Sequence, residues 1–261
     1  MLNFSILGAL EIRTPGGQVE IPGDLQRTLV QVLLAGEGRH LSGETLVEEV
    51  WGSAPPGNQT NALQAHISRI RRRLRALEPE RRPSRLVTNP AGYRLVVEDG
   101  ELDAANFVRD VQRAEEMLLS DPAGASRLLR SALAMWRGPV FGDLPGGPMC
   151  RMVAVRYEEH RLWAMELYFD AELSLGRHKG ILAQLRETHI DHPLRERFCE
   201  QLMVALYRSG RQVDALATYR NMWKRLSEEL GVQPSPSLRR VEHAILSHDP
   251  VLTAADATLR Q

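Results

Sequence analysis

The sequence predicts two folds in series: an α+β module of winged helix-turn-helix type, then an all-α region of tetratricopeptide-like helix pairs. Three observations carry this. Strand-like alternation is confined to residues before about 98, where it brackets three segments of helical period. Beyond 98 the strand signal vanishes and amphipathic helices follow one another. Finally, AELSLGRHKGIL from Ala171 repeats as ALYRSGRQVDAL from Ala205. Gly176 and Gly210 are 34 residues apart, as are Arg177 and Arg211, which is the tetratricopeptide spacing.

Each element has its own signal. Leu2, Phe4, Ile6, Leu10 and Ile12 favour one side of a strand, Thr14-Pro15-Gly16-Gly17 reads as a turn, and Val19 and Ile21 start a second strand. A first helix is predicted over Asp24–Ala35, with Leu25, Leu29, Val32 and Leu33 inward. Ser42 is suited to cap a second, short helix carrying Leu46, Val47 and Val50, which Trp51-Gly52 ends. The prolines of SAPPGNQ make the next stretch a loop. A third helix follows, with Thr60 as N-cap, an apolar stripe of Leu63, Ile67, Ile70, Leu74 and Leu77, and Pro79 just beyond it. Some 18 helical residues span roughly 27 Å, enough to cross a DNA groove. Arg85–Val97 reads as a β-hairpin.

In the second half, helices are predicted near 103–119, 122–136, 148–175, 178–190, 194–208, 211–230 and 236–247, with Arg137–Pro148 as the longest loop. In a tetratricopeptide array the repeated glycine sits where two helices pack closely. Pro234 falls at its expected place, whereas Pro193 comes too early, so the repeat is irregular. Such helix pairs bury their apolar faces by stacking and leave surfaces suited to protein contacts. A plain bundle with a chance repeat is the competing reading. The chain thus divides into 1–97, 98–250 and a loosely attached tail, 251–261.

Charge is local. The chain is neutral overall, but residues 1–97 hold twelve arginines and no lysine against nine acidic residues, a net +3, and 66–85 alone reach +6. Residues 98–261 carry the balancing −3. Asn61, Gln64, Ser68, Arg71, Arg72 and Arg75 fall on or near the face opposite the apolar stripe, with Arg69 and Arg73 at its flanks. An arginine-rich face alone is usually just solvated. Beside a preceding short helix and a following hairpin, it implies recognition of DNA, through phosphate attraction and the planar guanidinium fork that fits guanine.

Other chemistry finds little support. There is no apolar run of transmembrane length, and the N-terminus lacks a basic region and a cleavage site, so a cytoplasmic protein without a secretion signal is expected. Cys150 and Cys199 are isolated, which suits reduced, structural thiols. His189 and His192 are three apart but have no third ligand nearby, so a capping or surface role is favoured over metal. His66 and His178 read as local hydrogen-bonding residues, and Glu158-Glu159 as a solvated face. No nucleophile motif and no GxxxxGK[ST] phosphate loop occurs. No enzyme and no cofactor is expected. The rival from another class is an interaction scaffold whose helical half does the work.

Several stretches add a resemblance. LGALEI, LVEEVWG, NALQAHISRIRRRL and LVTNPAGYRL resemble the winged-helix output domain of response regulators. LAMWRGPVFGDL, HPLRERFCEQLMVALYRSGRQVDALATY and LSEELGVQPSPSLRRVEHAIL resemble the bacterial transcriptional activator domain. In this order, over residues 2–248, they are similar to the Streptomyces antibiotic regulatory protein family, in its small, stand-alone form. The resemblance implies a nucleoid-associated activator of secondary-metabolite (antibiotic) genes. It would bind direct repeats near the promoter −35 region as a homodimer or side-by-side protomers, and recruit RNA polymerase holoenzyme. No membrane partner is implied. The DNA-facing positions carried over are Asn61, Gln64, Ala65, Ser68, Arg69 and Arg71 on the third helix, with Arg72 on phosphate, and Thr88, Asn89 and Arg94 on the wing. Tyr93 would pack the wing on the helix. Gly52–Gln59 is the family-based candidate for the polymerase-facing loop.

Overall fold

The computed structural model describes residues 2–252; the expected tail falls mostly outside the described residues. The element order is β1 (Asn3–Ser5), β2 (Glu11–Thr14), β3 (Gly17–Val19), α1 (Asp24–Ala35), α2 (Gly43–Trp51), α3 (Gln59–Leu77), β4 (Leu86–Asn89) and β5 (Gly92–Leu95). Then come α4 (Asp103–Met117), α5 (Pro122–Leu133), α6 (Pro148–Ser174), α7 (His178–Asp191), α8 (Glu196–Arg208), α9 (Gln212–Glu229) and α10 (Pro236–Leu246), with a short 3-10 turn at Pro250–Leu252. The chain forms two compact units. Residues up to 110 with 132–161 make one, and 111–131 with 162 onward make the other.

In the first unit, β1, β2 and β3 form an antiparallel meander, with Phe4 opposite Ile12 and Ile12 opposite Val19. The single strand expected from Leu2 to Ile12 is therefore two strands with a break. Between them the backbone bonds elsewhere. Asp103 accepts the amides of Ile6 (2.8 Å) and Leu7 (3.2 Å), while the carbonyls of Ile6 and Leu7 accept from Phe141 (3.0 Å) and Arg137 (2.8 Å). With those groups satisfied, Ile6 and Leu7 have no use for a ladder, and Gly8 turns the chain at φ +143°. The second strand starts earlier than expected and stops at Val19.

Helix α1 matches its predicted span, but Leu25 is 40% exposed rather than inward; Leu29, Val32 and Leu33 are buried. Ser42 caps α2, its hydroxyl accepting from the Thr45 amide at 3.0 Å. Leu46 is buried, Val47 and Val50 only half so, and the deeply buried neighbour is a carboxylate, Glu49. Its two oxygens accept the amides of Met149 (2.6 Å) and Cys150 (3.1 Å), the first turn of α6, where an anion complements the helix dipole. The expected long loop before α6 is thus firmly seated. Phe141 fills the core, and the Gln31 side-chain amide donates to its carbonyl at 3.0 Å.

In the second unit α8 is central: every residue from Phe198 to Leu206 is buried, and α7, α9 and α10 pack against it. Phe169 meets Phe198 edge-on, ring centres 6.2 Å apart. Among the polar groups inside, Arg197 bridges Asp170 (2.7 and 2.8 Å) and Glu200 (2.8 Å). The repeat glycines do something other than expected. A side chain at Gly176 or Gly210 would meet nothing within 4 Å, so neither marks close helix packing. Both instead adopt positive φ (+69° and +75°) just past a helix end. The next amide reaches back, Arg177 to Glu172 O (2.9 Å) and Arg211 to Leu206 O (3.0 Å), closing a Schellman cap. Gly231 also adopts positive φ past a helix end, but there the Val232 amide reaches six residues back, to Leu226 O at 3.1 Å, one farther than in the other two caps.

Candidate nucleic-acid interface

Helix α3 follows from its sequence. Leu63, Ile67, Ile70 and Leu74 are buried in one stripe, and Leu77 is half-buried. The cap is Asn58, not Thr60: its side-chain oxygen accepts the Asn61 amide at 3.1 Å, which starts the helix a turn-fraction earlier. The result is a 19-residue rod. On its outer face Asn61, Gln64, Ala65, Ser68, Arg69, Arg72, Arg73 and Arg75 are exposed. His66 is half-buried, its ring 6.0 Å from that of Trp51, and its Nδ1 has no hydrogen-bond partner, so it acts as a ring contact. Burial, then the nearby Arg69, lower its pKa from the ordinary value of 6.5.

The hairpin of β4 and β5 stands beside α3, with Thr88 opposite Tyr93 and Asn89 opposite Gly92. Thr88 and Asn89 are exposed at its tip and Arg94 is half-exposed. Asn89 closes the turn, its side-chain oxygen accepting the Ala91 amide at 2.9 Å. Tyr93 is held through its backbone, which exchanges hydrogen bonds with Leu41 at 2.8 and 2.9 Å. A side chain at Gly92 would lie 2.0 Å from the Leu41 carbonyl oxygen, and its φ is +128°. Only glycine permits that approach.

The eight arginines of 66–85 separate by environment. Arg85 is 2% exposed and entirely internal. It grips Glu101 with two bonds (2.6 and 2.7 Å), bonds Glu78 through Nη2 (2.7 Å) and through Nε, and donates to Val96 O at 3.1 Å. Burial alone would lower its pKa; the bonds from Glu78 and Glu101 outweigh this and raise it. The same hydrogen bonding holds the Glu78 carboxyl below 4.5. Arg81 pairs with Glu98, and Arg82 donates to the carbonyls of Pro79 (2.8 Å) and Arg81 (2.9 Å). Arg71, expected on the DNA, donates instead to the wing, from Nε to Leu86 O (3.2 Å) and from Nη2 to Thr88 Oγ1 (2.5 Å). Arg69, Arg72, Arg73 and Arg75 have no hydrogen bond or ion pair within the described residues. They form an exposed basic strip along one helix beside a hairpin.

The comparisons agree with this geometry. Residues 23–95 match the family described as "Transcriptional regulatory protein, C terminal" and residues 102–246 match "Bacterial transcriptional activator domain". The chain is 42% identical to Transcriptional regulator RedD of Streptomyces coelicolor, over 100% of this chain and 75% of RedD. It belongs to the Streptomyces antibiotic regulatory protein family. As a member of that family it is a DNA-binding transcriptional activator and not an enzyme. Regulatory protein AfsR of the same organism is 37% identical over 98% of this chain, which spans 25% of AfsR. A solved structure of Mycobacterium tuberculosis EmbR, in complex with a low affinity phosphopeptide, superposes with a TM-score of 0.91. It is 30% identical and covers 99% of this chain and 69% of that one. The winged-helix-then-helical order of the family is therefore the fold seen here.

Elsewhere little competes. Among the described residues no three His, Cys, Asp or Glu side chains gather to hold a metal. His189 lies along α7 with its pKa lowered by burial and then by Arg225, while the His192 backbone caps that helix. Both cysteines are free and buried, and burial raises their thiol pKa values. No helix of the described residues is long and apolar enough to cross a membrane. Sequence reasoning missed Glu49 and the Arg85 cluster; an acid on the apolar side of α2 was the available signal for the first.

Proposed function

We propose that this chain is a pathway-specific activator of a secondary-metabolite gene cluster, working at the nucleoid of the cytoplasm. The observation that supports this best is the set of four exposed, unpartnered guanidinium groups on α3 beside the wing. Residues 1–97 supply the DNA-reading surface and 98–250 serve self-association, polymerase contact or signal input. Asn61, Gln64, Ala65, Ser68 and Arg69 face base edges, Arg72 a phosphate, and Thr88, Asn89 and Arg94 the flanking backbone. The sites are direct repeats near the −35 region, read by side-by-side protomers that recruit RNA polymerase. Residues 52–58 between α2 and α3, with Gln59 that opens α3, are all exposed, which suits the polymerase-facing role.

Selection from a random DNA library at near-physiological salt tests this. The expected result is a motif repeated at about one helical turn, 10–11 bp, which places protomers on one DNA face. Absence of any enriched motif would overturn the reading. Site-specific cross-linking from Ala54 on a promoter complex should label a polymerase subunit, and labelling of DNA alone would exclude the loop.

A further inference from the structure

We propose that Arg71 is a positioning residue for the wing, and that it turns the Thr88 hydroxyl into a donor for a DNA phosphate. This rests on the DNA-binding reading above. Two strands of four residues make a hairpin that is marginal by itself, so its angle to α3 must be fixed from outside. One edge is fixed by backbone: β5 pairs with Leu41 through Tyr93, at the close approach that Gly92 allows. The other edge, β4, has no further strand partner among the described residues. There the half-buried Arg71 guanidinium, on the flank of α3, bridges Leu86 O and Thr88 Oγ1, two residues apart on that edge. To read a base, Arg71 would have to break both bonds, while Arg69, Arg72, Arg73 and Arg75 have none to break.

The bond also sets the direction of the Thr88 proton. A hydroxyl has one proton and two acceptor positions, and a guanidinium can only donate. Thr88 Oγ1 accepts from Arg71, so its own O–H points away from that cation. Thr88 is exposed at the wing tip, where a phosphate oxygen is the acceptor that a hydroxyl polarised by a cation suits best.

The test compares Arg71→Ala, Arg71→Lys, Thr88→Val and Thr88→Ser with wild type in the full chain. Hydrogen exchange in the free protein should speed up at β4 amides in Arg71→Ala while the α3 amides stay protected. On the site the wild type selects, Arg71→Ala should bind about tenfold more weakly with its base preferences unchanged. Thr88→Ser should retain wild-type affinity, Thr88→Val should lose severalfold, and Arg71→Ala/Thr88→Val should bind no worse than Arg71→Ala alone. Should Arg71→Ala fold poorly, Arg71→Lys carries the test, because one ammonium cannot bridge both acceptors in the same geometry. Unchanged wing exchange, a preference lost at one base position, or additive losses would overturn the proposal. If the wild type selects no motif, the DNA reading fails, and the exchange experiment still decides whether Arg71 holds the wing.

Discussion

Arginine number is a poor guide to arginine purpose in this chain. Of eight between residues 66 and 85, one is buried in an ion cluster, one bonds the wing, two are paired locally and four face outward. The outward four should behave differently from one another. Arg69→Ala should cost about 1–3 kcal/mol at the preferred site and relax one base position, whereas Arg72→Ala should weaken all sequences alike and reduce the salt slope by about 1. Binding titrations at several salt concentrations on matched and mismatched sites separate the two. Arg85→Met should leave Glu101 buried without its partner and destabilise the first unit by about 3 kcal/mol, measured by denaturant unfolding. Acid should act on the same cluster. Glu78 is held low in the folded state, so its contribution is present above 4.5 and is lost as pH falls through the lowered value. Glu78→Gln should flatten that part of the stability profile; an unchanged acid slope would show the carboxylate is not its source. The split of Arg69 on bases from Arg72 on phosphate came with the family resemblance, but which arginine is internal and which bonds the wing was not legible, because that depends on residues such as Glu101 that are distant along the chain.

Elements were far more legible than residues. The spans of α1 and α2 and the existence of the ten α-helices of the described residues follow from apolar period and from caps such as Ser42, both local properties. What failed was decided by long-range bonding. The first strand breaks because Asp103, Arg137 and Phe141 take the hydrogen bonds of Ile6 and Leu7. Glycines illustrate the same limit. Their 34-residue spacing revealed the repeat, while their role as left-handed caps, with open space around them, needed coordinates. Gly210→Ala should therefore cost only about 1 kcal/mol, from backbone strain without a clash. Gly92→Ala should cost about 3 kcal/mol, since the new methyl meets the Leu41 carbonyl. Thermal unfolding of both variants checks the contrast, and equal losses would refute it.

At the scale of the molecule, compactness does not follow chain order. Residues 132–161 belong with the N-terminal elements: Phe141 fills their core, Glu49 caps the start of α6, and Tyr157 donates to Glu37 at 3.0 Å. A fragment ending at Asp110, which keeps Glu101 and Asp103 but lacks residues 132–161, should lose at least about 3 kcal/mol relative to the first unit of the full chain, roughly 15 °C in melting temperature for a module of this size. A fragment that melts with the full chain would show these contacts to be dispensable. The same arrangement has a temporal side. A ribosome adding about 5–20 residues per second leaves an interval of roughly 3 to 13 s between completion of the wing and delivery of residue 161. For most of that interval the nascent DNA-reading module lacks Phe141 and the helix end that Glu49 awaits, so it matures late, after part of the second unit has already been made.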